Sequence, residues 1–138
     1  MPSSSLGVLL FAHGARDPNW ARPFEAAAEA LRARAREQGN DALAVRVRLA
    51  FLEFMTPDLL QAGRELAEAG CDQVTVVPLF LGAGGHVRKD LPRLMDELST
   101  SHPGVTWRLS PAVGETTLLI QALADSAWQL AQPDAPDA

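Results

Sequence analysis

Short runs of apolar residues alternate with amphipathic stretches along almost the whole chain. The first run, LGVLLFA over Leu6–Ala12, is continuous, which is typical of a strand buried on both faces of a sheet. The segments LAVRVRLAFLEF (43–54), DQVTVVPLFL (72–81) and the start of VTWRLSPAVG (105–114) predict three further strands. A stretch with helical periodicity follows each strand, so the pattern predicts a strand–helix unit repeated about four times.

Capping residues and prolines predict where the helices begin. Asp17 is a good N-cap before Pro18, although a second proline moves the expected start of the first helix towards Arg22. Thr56 is the expected N-cap of the second helix, with Pro57 at its first position.

Two more helices complete the pattern. The third is expected to start near Asp90, with Pro92 in its first turn. The last is ETTLLIQALADSAWQLAQ (115–132), and from about residue 132 an acidic tail is expected to be frayed.

These elements predict a single α/β domain over residues 1–138. Right-handed crossovers place helices on both faces of the sheet. We expect a doubly wound fold with about four parallel strands in the order 2-1-3-4. The segments between the elements contain no linker or low-complexity stretch that would mark a second domain.

Composition narrows the functional classes. The chain is 47% hydrophobic and 21% charged, with a net charge of −5, which argues against a nucleic-acid or membrane-surface binder. Its N-terminal apolar run is short and has no basic segment before it, so a cytoplasmic protein is expected. The single cysteine, Cys71, provides no disulfide or cysteine-based metal motif and is expected to be a packed thiol.

Polar residues stand where three of the strands end. His13 follows the first strand, Glu53 ends or follows the second, and His86 follows the third. With the strand order 2-1-3-4, these residues would converge at the switch point where such sheets bind ligands. Alternatives remain open at this stage, because an isolated histidine after a strand is more often a loop or capping residue, and Glu53 could simply face solvent.

The glycine cluster GAGG (82–85) allows two interpretations. It could cradle a phosphate at a helix N-terminus, which would indicate a phosphate or nucleotide module. It matches neither G-x-G-x-x-G nor a Walker loop, so its other use is to let a large flat ligand approach the backbone. A histidine-phosphatase interpretation of HGARDP is disfavoured, because Ala12 stands where that mechanism needs an arginine.

The segments AHGARDP, FLEFMTPDL and VVPLFLGAGGHVRKDLP resemble the three signature segments of the short class II chelatases. These are the sirohydrochlorin cobaltochelatases and ferrochelatases of the small CbiX type. Ala15 replaces a serine common in that family, and SPAVGETTLL matches less clearly. The resemblance implies ATP-independent insertion of a divalent metal (Co²⁺, Fe²⁺ or Ni²⁺) into sirohydrochlorin, in cobalamin or sirohaem synthesis, by a lyase that needs no nucleotide.

The resemblance also implies roles for individual residues. The two motif histidines fall on His13 and His86, which would bind the metal and accept the pyrrole protons, with Glu53 assisting. Imidazole suits these metals, a site with few ligands lets the ion leave, and a neutral histidine is a suitable base near pH 7. The expected contacts with the flat, carboxylate-bearing substrate are Gly14, Arg16, Gly84, Gly85, Arg88 and Lys89.

Two alternatives accompany these expectations. Arg88 and Lys89 could be ordinary solvated residues at a helix start, and the same two histidines could serve a non-catalytic metal or tetrapyrrole carrier. Because long members of the family contain two facing domains, the resemblance also implies a homodimer, with no nucleic acid or membrane as partner.

Overall fold

The described residues form four strands, each followed by one or two helices. The structure, a computed structural model, describes residues 5–82 and 84–134, and the side chains of residues 85–88 lie outside this description. The elements are β1 (Leu6–Ala12), α1 (Arg22–Glu37), α2 (Asp41–Ala44), β2 (Val47–Phe51), α3 (Leu59–Glu68), β3 (Gln73–Pro78), α4 (Gly85–Ser101), β4 (Thr106–Leu109) and α5 (Thr117–Leu130). Short 3-10 turns, Pro18–Ala21 and Val113–Glu115, precede α1 and α5.

The strands form one parallel sheet in the order β2-β1-β3-β4, which confirms the predicted α/β fold and topology. Leu9 of β1 lies between Arg48 of β2 and Val76 of β3. The chain therefore leaves β1 to one side and returns to its other side. The carboxyl ends of β1 and β3 flank the resulting switch point, where sheets of this type bind ligands.

Helices cover both faces of the sheet, as predicted. On one face Leu9 packs in a buried cluster with Leu66 of α3 and Leu98 of α4. On the other face Val47 packs with Ala28 of α1. Since side chains alternate along a strand, the continuous apolar run of β1 supplies both clusters.

The start of β2 was predicted too early. The strand begins at Val47, because residues 41–44 form the single turn α2. The side chain of Asn40 accepts a hydrogen bond from the N–H of Leu43 at 3.1 Å and caps that turn. The expectations for α1 are confirmed, with Asp17 capping the 3-10 turn and the helix beginning at Arg22.

The predicted N-cap of α3 was also wrong. Asp58, and not Thr56, accepts the N–H of Gln61 at 2.8 Å. The carbonyl of Pro57 accepts a hydrogen bond from the N–H of Phe51 at 2.9 Å. This bond ties Pro57 to the end of β2, so the helix begins only after it.

The helix α4 starts five residues earlier than predicted, at Gly85 instead of Asp90, and Pro92 lies inside it. An interior proline costs about 3 kcal/mol. Leu91 and Leu98 are buried on the same helix, and each such leucine contributes roughly 1.5–3 kcal/mol. Core packing thus offsets the proline, and His86, Arg88 and Lys89 belong to a helix, not to a loop.

Cys71 is a packed thiol, as predicted. Its side chain is 4% exposed, and Sγ lies 2.8 Å from where a Cβ on Gly7 would stand. Burial raises the pKa of the thiol, although the charges of Arg46 and Arg48 oppose the change. The thiol is therefore kept protonated and is part of the core.

The last helix differs from all the others. No residue of α5 is buried, and Leu118 and Trp128 are 82% and 72% exposed. None of the helices in the described ranges combines the length and apolar character needed to cross a membrane. The predicted tail extends past α5, and residues 135–138 lie outside the described part.

Candidate functional site

The carboxyl ends of β1, β2 and β3 meet along one edge of the sheet, and the predicted site residues follow them. His13 comes directly after β1, Glu53 comes two residues after β2, and His86 is the second residue of α4. The side chain of His86 is outside the description.

The imidazole of His13 lies against the ring of Phe80, on the loop after β3. Their ring centroids are 4.3 Å apart and the planes are tilted by 33°. Phe80 is only 2% exposed, whereas His13 is exposed. No side chain or backbone group of the described residues hydrogen-bonds the imidazole of His13. The ring is therefore supported from one side by Phe80, while the residue as a whole is exposed.

Phe80 is itself fixed from two directions. The N–H of Leu79 donates to the carbonyl of Phe11 at 2.7 Å, and the N–H of Gly114 donates to the carbonyl of Phe80 at 2.9 Å. Phe80 was predicted within the third strand, which ends at Pro78, so its contact with His13 was not predicted. The one sequence feature that could have indicated this contact is an aromatic residue two positions before the glycine cluster.

Backbone hydrogen bonds join the loop of His13 to the loop of Glu53. The N–H of Leu52 donates to the carbonyl of Ala12 at 2.9 Å, and the N–H of Glu53 donates to that of His13 at 3.1 Å. The β1–β2 ladder thus continues past the strands. It brings two of the three predicted catalytic residues together, each with an exposed side chain.

Gly14 allows this close approach. Its φ is +86°, and a Cβ at this position would lie 1.9 Å from the carbonyl oxygen of Glu53. Any side chain would therefore push the two loops apart. Gly14, predicted as a substrate contact, has at least this packing role.

Arg16 and Phe54 make a second contact between the same loops. The guanidinium carbon of Arg16 lies 4.7 Å from the ring centroid of Phe54, a cation–π geometry. Phe54 is 58% exposed and has a φ of +67°. Arg16 was predicted as a substrate contact, whereas Phe54 was not, because no local pattern indicates its backbone conformation.

The other predicted substrate contacts surround the start of α4. Gly84 is the N-cap, and a Cβ on it would point into open space. Lys89 is exposed. The burial of Gly85 and the side chains of His86 and Arg88 lie outside the description. Among the described residues, no group of three or more His, Cys, Asp or Glu side chains could hold a metal ion. Convergence of His13, Glu53 and His86 therefore stays a prediction.

The chain is similar in sequence to known proteins. The CbiX family model matches residues 7–130. A sirohydrochlorin cobaltochelatase of Saccharolobus solfataricus is 38% identical over 90 residues, which are 65% of this chain and 63% of that protein. One from Sulfurisphaera tokodaii is 34% identical over 92 residues, 67% of this chain and 69% of the relative. The chain thus spans less than two thirds of the length of the Saccharolobus relative.

Solved structures share the fold. A cobalamin (vitamin B12) biosynthesis CbiX protein from Marinobacter aquaeolei VT8 superposes with a TM-score of 0.73 at 33% identity, covering 91% of this chain and 96% of that one. SirB from Bacillus subtilis with Fe³⁺ gives a TM-score of 0.74 at 21% identity, covering 94% of this chain but 48% of SirB, so that likeness concerns the fold alone. With a match over residues 7–130, this chain belongs to the CbiX family.

Proposed function

We propose that this chain is a metal chelatase, a lyase that inserts Co²⁺ or Fe²⁺ into sirohydrochlorin without a nucleotide. The observation that carries the proposal is His13. It stands at the switch point of the sheet, is supported by Phe80 and is exposed, and its ring has no hydrogen bond to the described residues. Membership of the CbiX family and the names of the curated relatives support the choice of reaction.

His13 and His86 are the proposed metal ligands. Two imidazoles suit Co²⁺, Fe²⁺ and Ni²⁺, and they leave coordination positions for water and then for the pyrrole nitrogens. A closed site with four protein ligands would retain the ion instead of releasing it. As the ion passes to the pyrrole nitrogens, the imidazole nitrogen that held it regains its lone pair and accepts one of the two pyrrole protons, so each histidine takes one proton and the charges balance.

Glu53 is proposed to assist His13. Its backbone is hydrogen-bonded to His13, so the carboxylate belongs to the same edge of the sheet. From there it takes a proton or orients an imidazole, as carboxylates beside metal-binding histidines do.

The substrate is held, in this proposal, by residues that offer room or positive charge. Open space beside Gly84 suits a flat macrocycle. Arg16 is exposed beside His13 and suits a carboxylate of the substrate. Gly14, Gly85, Arg88 and Lys89 complete the proposed contact set.

A visible-absorbance time course tests the reaction. Sirohydrochlorin and Co²⁺, or Fe²⁺, are mixed anaerobically with wild type, His13→Ala, His86→Ala or His102→Ala. His102 is the matched control, because it ends α4 near the amino end of β4, away from the proposed site. We expect the first two variants to lose about 10²–10⁴-fold in rate, the range for acid–base groups, and His102→Ala to match wild type.

The outcomes separate the alternatives. A wild-type rate equal to the uncatalysed rate, together with tight metal or tetrapyrrole binding, would identify a carrier that uses the same histidines. Affinity for nucleotides without metal binding would point to a phosphate module at the glycine cluster. Equal losses in all three histidine variants would indicate a general effect on folding.

We also propose that the protein is a homodimer in which a second copy covers α5. Apolar residues occupy most of the circumference of α5, where Asp125 is the one charged residue, and so broad an apolar face is normally buried. The turn before α5 is hydrogen-bonded to Phe80 through Gly114, so α5 starts beside the support of His13. The dimer thus borders the proposed site.

A further inference from the structure

Phe54 combines two features that the fold itself does not require. Among the described residues it is the one non-glycine residue with a positive φ, at +67°. The residue is also 58% exposed and belongs to none of the buried apolar clusters. Backbone strain of this kind persists only where the surrounding fold maintains it, and it is concentrated at functional sites.

With this backbone conformation, the ring of Phe54 lies against the guanidinium group of Arg16. The guanidinium carbon of Arg16 lies 4.7 Å from the ring centroid. No carboxylate of the described residues forms a salt bridge with Arg16, in contrast to Arg48, which pairs with Glu65 at 3.3 Å. The hydrogen-bonding edge of Arg16 is therefore directed at solvent or at a ligand.

The pair stands beside the proposed catalytic residues. Phe54 follows Glu53 and Arg16 lies three residues after His13, on two loops joined by the Glu53–His13 hydrogen bond of 3.1 Å. An aromatic ring limits the directions that a long arginine side chain samples. A preorganised guanidinium loses less conformational entropy when it binds a carboxylate.

We propose that Phe54 is a positioning residue that holds Arg16 towards a carboxylate side chain of the tetrapyrrole. This inference rests on the proposed function and deepens it, because it separates recognition of the substrate's rim from chemistry at its centre. Arg16 forms the charged contact. Phe54 acts through Arg16 and touches neither the metal nor the pyrrole nitrogens.

A double-mutant cycle tests the inference. The Kd of metal-free sirohydrochlorin is measured from its visible absorbance for wild type, Phe54→Leu, Arg16→Ala and the double variant, and KM and kcat are measured with Co²⁺. We expect Phe54→Leu to raise Kd and KM about two- to fivefold, the range for an exposed cation–π pair, with kcat nearly unchanged. Arg16→Ala should raise Kd further, and adding Phe54→Leu to it should change nothing more.

Four controls distinguish positioning from a structural role. Phe54→Tyr keeps the aromatic face and should bind like wild type. Phe54→Asn relaxes the backbone and should leave Tm unchanged or higher while Kd rises. Val45→Ala removes an apolar side chain of similar exposure at the opposite end of the sheet and should leave Kd unchanged. High salt should reduce the difference between wild type and Phe54→Leu.

The result that overturns the inference differs from the one that overturns the proposed function. Wild-type chelation with additive effects of Phe54→Leu and Arg16→Ala, or with a wild-type Kd for Phe54→Leu, would remove the positioning role only. A wild-type protein that neither binds sirohydrochlorin nor metallates it would remove both.

Discussion

Gly14 shows how one backbone position controls the geometry of the candidate site. Its left-handed φ is unfavourable for any residue with a Cβ, and its Cβ position is blocked by the carbonyl of Glu53. These are two separate effects. A second glycine, Gly39, has a φ of +77° but no atom within 4 Å of its Cβ position, so it carries only the first effect.

The pair makes a matched experiment. Gly39→Ala should lower the free energy of unfolding by about 1 kcal/mol, from backbone strain alone. Gly14→Ala should lower it by a further ~1–3 kcal/mol and reduce metal insertion, because the loops of His13 and Glu53 must separate. Urea unfolding and the chelatase assay measure both. Equal losses of stability in the two variants would show that the loop of Glu53 can move away from a Cβ at position 14 at little cost in free energy.

At the scale of elements, the start of α3 shows how a strand end sets a helix end. Pro57 is tied to β2 through the N–H of Phe51, so the first free helical N–H groups fall after Asp58. Asp58 then caps the helix through Gln61. Thr56 was the predicted cap, and the hydrogen bond between Phe51 and Pro57 places the helix start at Asp58 instead.

Two substitutions check that choice. Asp58→Ala should lower the free energy of unfolding by about 1 kcal/mol, since an exposed capping bond is lost. Thr56→Ala should change it by less than about 0.5 kcal/mol, as expected for a surface residue without such a bond. Thermal and urea unfolding report both values. A larger loss of unfolding free energy in Thr56→Ala than in Asp58→Ala would show that Thr56 is the N-cap.

For the whole molecule, the exposure of α5 is the feature that an isolated chain does not explain. Leu118, Leu123 and Trp128 are at least 50% exposed on one helix. Exposed apolar surface of this kind indicates an association site. The proposed second copy would bury it and adjoin the carboxyl edge of the sheet.

Sedimentation equilibrium tests the assembly. Wild type should have about twice the 14.8 kDa mass of one chain. Leu123→Glu with Trp128→Glu should give a folded monomer, because two charges cannot be buried without partners. The control, Ala30→Glu on the exposed side of α1, should remain dimeric. A monomeric wild type would contradict the homodimer and leave the chelatase proposal to its own assay.

Much of this protein was determined by local sequence. The apolar run of β1, the cap Asp17, the helical period of α1 and the positions of His13 and Glu53 after their strands were all predicted correctly, because each depends on residues adjacent in the chain. The predicted strand order 2-1-3-4 is the one observed, and right-handed connections place helices on both faces of that sheet. Cys71 was likewise identified as a packed thiol from its position beside a strand.

Tertiary structure decided the rest. The support of His13 by Phe80, the tie between Glu53 and His13 and the contact of Arg16 with Phe54 join segments that are far apart in the chain. Pro92 lies inside α4 because buried leucines outweigh a local penalty. Local patterns record which residues favour a strand, a turn or a helix. Contacts across the sheet edge depend on where the folded chain brings distant loops together, and no local pattern records that.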